Sequence, residues 1–279
     1  MSLQSYAATP YVAAPNRFSQ LVMLVLPPLV LFAGLMGLYA WVRAGLPDHR
    51  QFLMPSATAL WDQAFGQAAV RAELLERALT TLGIALIGLA ISIPLGILLA
   101  VIMFRALVIE RAMFPNLVLL QAIPTLAIIP LIQTALGFGL MPKILIVAKF
   151  TMFSIPITLL LGLKSVDRGI IDLFRLQGAS WTTILLKACL PSAAPALFAG
   201  LRIAASLAVI SAIVSELFFL AGRGGLGQMI INAKLDFKYE QMYAGLITAT
   251  FMSLCCYIAF TWLGHRLFAA WHDSGGKQD

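Results

Sequence analysis

Charge is what this chain has least of. Asp, Glu, Lys and Arg supply 11% of its 279 residues, where a soluble domain carries about 25%. Hydrophobic residues reach 61% and mean hydropathy is +0.92, so a water-soluble globular domain is excluded. Cysteine is equally scarce. Cys189, Cys255 and Cys256 give no disulfide framework; the last two fall inside an apolar run as packing residues. His49, His265 and His272 are dispersed, so no metal-ligand cluster is spelled out. No Lys/Arg run reaches the roughly 5–8 residues of a basic patch. The formal charge of +7 therefore reads as basic loops facing anionic headgroups, not as a nucleic-acid surface. A G-x-x-x-x-G-K-[ST] phosphate loop is missing too, which argues against an ATPase. Gly222-Arg223-Gly224-Gly225-Leu226-Gly227 matches G-x-G-x-x-G in form. It follows an apolar span, not a strand of a βαβ unit, so a dinucleotide fold is rejected.

What the chain does have is long apolar runs. They cover Leu21–Trp41, Ala78–Met103, Met113–Leu136, Ile144–Leu163, Leu197–Leu220 and Met242–Leu263. Each approaches the roughly 17–25 residues that cross about 30 Å of hydrocarbon. All must be helical, because lipid offers no partner to an open backbone. The first is too long for a signal peptide and has no strongly basic front, so it is retained as a span. The expected fold is an all-α integral membrane protein of about six transmembrane helices. Residues 1–20 precede the membrane domain of 21–264, and 265–279 form a tail.

Before the second span, Ser56 caps an amphipathic piece, Ala57–Phe65, read as an interfacial helix anchored by Trp61. The third span contains Pro115, Gln121, Pro124, Pro130 and Gln133. Prolines kink a helix, and Gln121, Pro124 and Gln133 mark this span as a candidate pathway lining. Lys149, Arg202 and Glu216 lie within or at the edges of apolar runs, where a charge costs about 2.5–3.5 kcal/mol at the bilayer centre. Arg202 and Lys149 are expected to snorkel to opposite surfaces. Glu216 is expected to pair with a base or a backbone donor near the outer end of the fifth span, as part of a gate. Lys149 is the more useful of the two to an anionic substrate.

Lys and Arg divide almost evenly between the two sets of loops, so the positive-inside rule leaves the orientation open. A second long polar interruption runs from Lys164 to Pro195. Two helix-compatible pieces meet there at Gly178-Ala179-Ser180 and close at Leu190-Pro191. Gly178 is free to take positive φ for a sharp turn. A short helix then starts near Ser180, with Trp181 as a candidate anchor, and Pro191 is expected to end it and redirect the chain.

This segment resembles the cytoplasmic loop E-A-A-x-x-x-G-x(9)-I-x-L-P of permease subunits of bacterial ATP-binding-cassette (ABC) importers. Gly178 takes the glycine place, Leu190-Pro191 the Leu-Pro place and Asp172 the acidic place; Leu173, Phe174 and Ala188 depart from the pattern. Gly200-Leu201-Arg202, Glu216-Leu217, Gly225-Leu226-Gly227 and Leu53-Met54-Pro55-Ser56 add resemblance to the nitrate/taurine/alkanesulfonate-type permeases.

The resemblance implies a type I importer permease fold in the bacterial inner membrane, with a cytoplasmic coupling loop over 164–196. Asp172, Gly178, Ala179, Ser180, Trp181, Leu190 and Pro191 would engage a cytoplasmic ATPase dimer, which binds ATP and magnesium; this chain holds no cofactor and is no enzyme. A second permease copy or paralogue would complete the pathway. A solute-binding protein would deliver a small anion or heterocycle at an external turn bearing Arg223, Gly225 and Gly227. The competing reading, an ion-coupled secondary transporter, calls for inverted repeats and mid-span carboxylates, which the sequence does not display.

Overall fold

The structure is a computed structural model that describes residues 17–219 and 224–272. By contact it divides into two units, ending and beginning at Pro55 and Ser56. The first holds helix α1 (Arg17–Ala44) and a 3₁₀ turn over Asp48–Leu53. Within it, the Tyr39 hydroxyl donates to the Pro55 carbonyl at 2.9 Å and Arg43 Nε to the Met54 carbonyl at 2.8 Å. These bonds tie the connecting segment to the end of its own helix.

The second unit begins at the Ser56 cap, whose hydroxyl accepts from Ala59 N–H at 3.1 Å. The short α2 (Ala57–Leu60) runs into a π-helical turn, Trp61–Phe65, and Trp61 stays 65% exposed. Then follow α3 (Ala68–Arg105), α4 (Leu107–Ala122), α5 (Thr125–Leu136), α6 (Leu140–Thr151), α7 (Ser154–Lys164), α8 (Arg168–Leu176), α9 (Trp181–Ile184), α10 (Leu190–Phe218), α11 (Leu226–Leu235) and α12 (Tyr239–His272). Five helices, counted with α1 and with short breaks bridged, are long and apolar enough to cross a membrane; a sixth crossing counts α4 and α5 as one bent span. No strand occurs among the described residues.

Helix α10 is the hub, packed against α3, α6, α7 and α12. Its buried side is small: Ala193, Gly200, Ala204, Ala205, Ala208 and Ala212. Small residues let helices approach closely where lipid provides no hydrophobic drive for association. Helix α3 does the same against α6, for a Cβ on Gly88 would stand 2.5 Å from Val147 Cγ1. A buried polar link crosses the same seam, Thr151 Oγ1 donating to Ser92 Oγ at 2.7 Å.

Two expectations are corrected. The third span is not one kinked helix. It breaks at Ile123-Pro124, and the halves turn by 88°. Proline forces the residue before it out of the helical region, and Ile123 accordingly has φ −61° and ψ 120°, whereas Pro115 and Pro130 are absorbed inside helices. Nor does Pro191 end the loop helix. Trp181–Phe218 runs through as one 38-residue helix, with a π-helical stretch at Leu185–Cys189. Proline has no N–H for the i−4 carbonyl; widening the turn just before it shifts the hydrogen-bond register past the gap.

Candidate functional site

The loop segment is built from local signals. Asp167 Oδ1 accepts from Gly169 N–H at 2.8 Å and caps α8. At its other end Gly178 has φ 72°. Gly178 N–H donates to Arg175 O at 2.9 Å and Ala179 N–H to Phe174 O at 3.0 Å, the paired bonds of a Schellman stop. Ser180 then caps α9, accepting from Thr183 N–H at 3.3 Å.

Asp172 is paired with Arg175 at 3.2 Å on the surface. Ala179, Trp181 and Leu190 pack on a core containing Met103, Leu163, Leu185 and Cys189. The Arg105 guanidinium lies 4.6 Å over the Trp181 ring, fastening the end of α3 to the start of the long helix. On its exposed side, α8 presents Ile170, Leu173 and Leu176, the last 87% exposed. Their spacing of three places them along one face.

At the broken span, Lys149 does not snorkel. Its Nζ donates to the Ile123 carbonyl at 2.7 Å and to Thr125 Oγ1 at 2.6 Å. Ala127 N–H, the usual helical donor to Ile123, bonds Pro124 O instead at 3.0 Å. The ammonium therefore serves the carbonyl that the break leaves open. Gln121 and Pro124 are exposed beside the break, and Gln133 Nε2 donates to Phe218 O at 3.0 Å, joining α5 to the end of α10. Arg202 lies 6.0 Å over the Tyr257 ring.

Glu216 is fully buried. Its Oε2 accepts from Thr81 Oγ1 at 2.8 Å and from Gly227 N–H at 2.9 Å. Thr81 Oγ1 in turn accepts from Leu226 N–H at 2.8 Å. Two side chains from other helices thus cap the first turn of α11. Arg77 Nη1 adds a bond to Gly224 O at 2.8 Å. Among the described residues Oε1 accepts no hydrogen bond; it rests against Gly225, where a Cβ would overlap it. Lys143 of α6 is also buried.

Gly225 and Gly227, expected on an external docking turn, are instead buried in this cluster. They are glycine because the Glu216 side chain occupies the space beside them: a Cβ on Gly227 would stand 2.7 Å from Glu216 Cβ. Arg223 lies outside the described residues.

Thr81 and Lys143 escaped the sequence reading. Lys143 lies just before the apolar run Ile144–Leu163, yet α6 begins before it and buries it to 3% exposure. The signal was its spacing of four and eight from Val147 and Thr151, which puts all three on one helix face.

Residues 92–271 match the family described as binding-protein-dependent transport system inner membrane component, and the chain belongs to that family. It is 32% identical over 243 residues to a probable ABC transporter permease protein of Haemophilus influenzae, covering 87% of this chain and 96% of that protein. It is 33% identical over 250 residues to the riboflavin transport system permease protein RibX of Chloroflexus aurantiacus, covering 89% and 92%. The MetNI methionine ABC transporter in inward-facing conformations shares the fold, with a TM-score of 0.55 at 21% identity over 73% of this chain and 98% of that one.

The chain is thus a multi-pass permease subunit of an ABC importer in the inner membrane, and the secondary-transporter reading is set aside. It is a transport component with the ATPase as a separate subunit, and family membership brings an ATPase and a solute-binding protein as partners.

Proposed function

We propose that α8 and α9 dock on a cytoplasmic ATPase dimer and that α10 carries the resulting motion across the membrane. The observation that carries this reading is continuity: Trp181–Phe218 is one helix of 38 residues, about 57 Å long at 1.5 Å per residue. One end is the docking helix; the other bears Glu216. Ile170, Leu173 and Leu176 offer an apolar face to the ATPase. ATP and magnesium belong to that ATPase. Their work reaches this chain as force, and reversing a 1:99 population needs about 5.5 kcal/mol.

In this reading two permease copies, or one with a paralogue, enclose the pathway along the broken span carrying Gln121, Pro124 and Gln133. Lys149 stabilises the break, and the Glu216 cluster holds the outer end until ATP-driven movement loosens it. A binding protein delivers solute from outside. A small heterocycle is the favoured substrate class, because the relatives named for riboflavin and formylaminopyrimidine transport are 33% and 35% identical, against 28% for those named for aliphatic sulfonates. The test is uptake into proteoliposomes holding permease, ATPase and binding protein. ATP-dependent accumulation of riboflavin or a formylaminopyrimidine supports the reading; accumulation driven by an ion gradient without ATPase contradicts it.

A further inference from the structure

Beside the docking helix lies a cavity of about 500 Å³. Its walls come from Phe104 and Arg105 at the end of α3, Ile171 and Arg175 of α8, and Trp181 and Ile184 of α9. Leu173 and Leu176 do not line it; at 100° per residue Leu173 lies about 160° round the helix from both Ile171 and Arg175. The cavity is therefore distinct from the apolar docking face of α8.

Its charge is positive. Arg105 contacts the Trp181 ring and has no carboxylate within ion-pair distance among the described residues. Arg175 has one, Asp172, but both side chains are more than 60% exposed, and such a pair is weakly held. Its level in the membrane is marked by the chain itself. One residue beyond Arg105 come Leu107 and Val108, 57% and 78% exposed, which suit acyl chains. An apolar shelf beside two arginines and an indole is the lining that the hydrocarbon–headgroup boundary favours. Basic pockets between spans at the cytoplasmic surface suit anionic headgroups. An acidic side chain of a water-soluble partner would need the cations but not the apolar shelf beside them.

We propose that this cavity binds the phosphate headgroup of an anionic phospholipid of the cytoplasmic leaflet, between Arg105 and Arg175 and against Trp181. The proposal rests on the coupling reading, which sets this face in the cytoplasm. A headgroup held there braces the docking helix against α3, so the lipid charge around the transporter tunes the coupling.

The test uses the full chain with Trp181 as its sole tryptophan, the other four being replaced by phenylalanine. It is reconstituted in phosphatidylcholine vesicles containing brominated phosphatidylglycerol or, separately, brominated phosphatidylcholine, and Trp181 quenching is followed. The expected result is a preference for phosphatidylglycerol of about fivefold per arginine, cut by about that factor in Arg105→Gln and in Arg175→Gln. Circular dichroism and gel filtration select the variants that remain folded, and either variant suffices. Equal quenching by the two lipids, or an undiminished preference in a folded variant, overturns the proposal. So does loss of the preference on adding inorganic phosphate, which would assign the site to a free anion. ATP-driven uptake is measured with the same chain. Uptake without lipid preference overturns the lipid site and leaves the importer reading standing; lipid preference without uptake supports the site and counts against the coupling reading.

Discussion

Thr81 and Glu216, 135 residues apart in sequence, meet in a buried cluster at one end of the bundle, where the threonine hydroxyl donates to the carboxylate at 2.8 Å. The same two helices, α3 and α10, are fastened at the other end by Arg105 over Trp181. The docking helix is therefore connected to the Glu216 cluster by two parallel routes. Each route is a single long helix.

A double-mutant cycle tests the first tie. Thr81→Val removes a donor from a buried carboxylate, and hydrogen bonds to charged groups contribute about 1.5–3 kcal/mol. Thr81→Val and Glu216→Gln should each lower the thermal unfolding temperature. Their combined effect should fall short of the sum, with a coupling of about 0.5–3 kcal/mol. Additive effects would mean that the two side chains act independently.

Gly178 tests the loop stop. Its φ is 72° and a Cβ there would meet nothing within 4 Å, so any penalty comes from the backbone, not from a clash. Gly178→Val should cost about 1–2 kcal/mol locally and uncouple ATP hydrolysis from uptake while membrane insertion continues. Gly178→Asn should retain most uptake, since asparagine tolerates the left-handed region. Equal loss in both variants would refute the conformational argument.

Lys149→Met leaves the Ile123 carbonyl without its donor. Loss of the two bonds should destabilise the broken span by about 1.5–3 kcal/mol, read as faster amide hydrogen exchange over residues 120–127. Lys149→Arg, which keeps the charge and the donors, should restore protection. Unchanged exchange in the methionine variant would show that the break holds without the lysine.

Glycine substitutions separate packing from flexibility. Gly227→Ala drives a Cβ into the Ile213 carbonyl and the Glu216 side chain, and overpacking of this kind costs about 1–3 kcal/mol. Gly83→Ala, in the same bundle with nothing within 4 Å of the added atom, should be neutral or stabilising by up to about 1 kcal/mol. Thermal unfolding of the two variants in one detergent distinguishes them. Similar loss of stability in both would contradict the buried placement of Gly227.

Much of this was legible because the signals are local. The Ser56 and Ser180 caps, the positive φ at Gly178 and the disruptive Pro124 follow from one residue and its neighbours. The continuity of α9 with α10 was not, because Pro191 reads as a stop and only the π-helical register before it removes that meaning. The partners of Lys149 and Glu216 were also hidden. Thr125 is 24 residues from Lys149 and Thr81 is 135 from Glu216, and no periodicity within one helix reports such pairings. Gly225 and Gly227 looked like a loose turn because glycine suits both a flexible loop and close packing.

The central claim is that the 164–196 segment faces the cytoplasm and carries the ATPase. Its most direct test is Ser180→Cys in the chain freed of Cys189, Cys255 and Cys256. A membrane-impermeant maleimide is applied to right-side-out and inside-out vesicles, with and without the ATPase. Labelling only in inside-out vesicles, and its loss when the ATPase is bound, is the predicted result. Labelling from the outer face, or labelling that the bound ATPase leaves unchanged, would contradict the account.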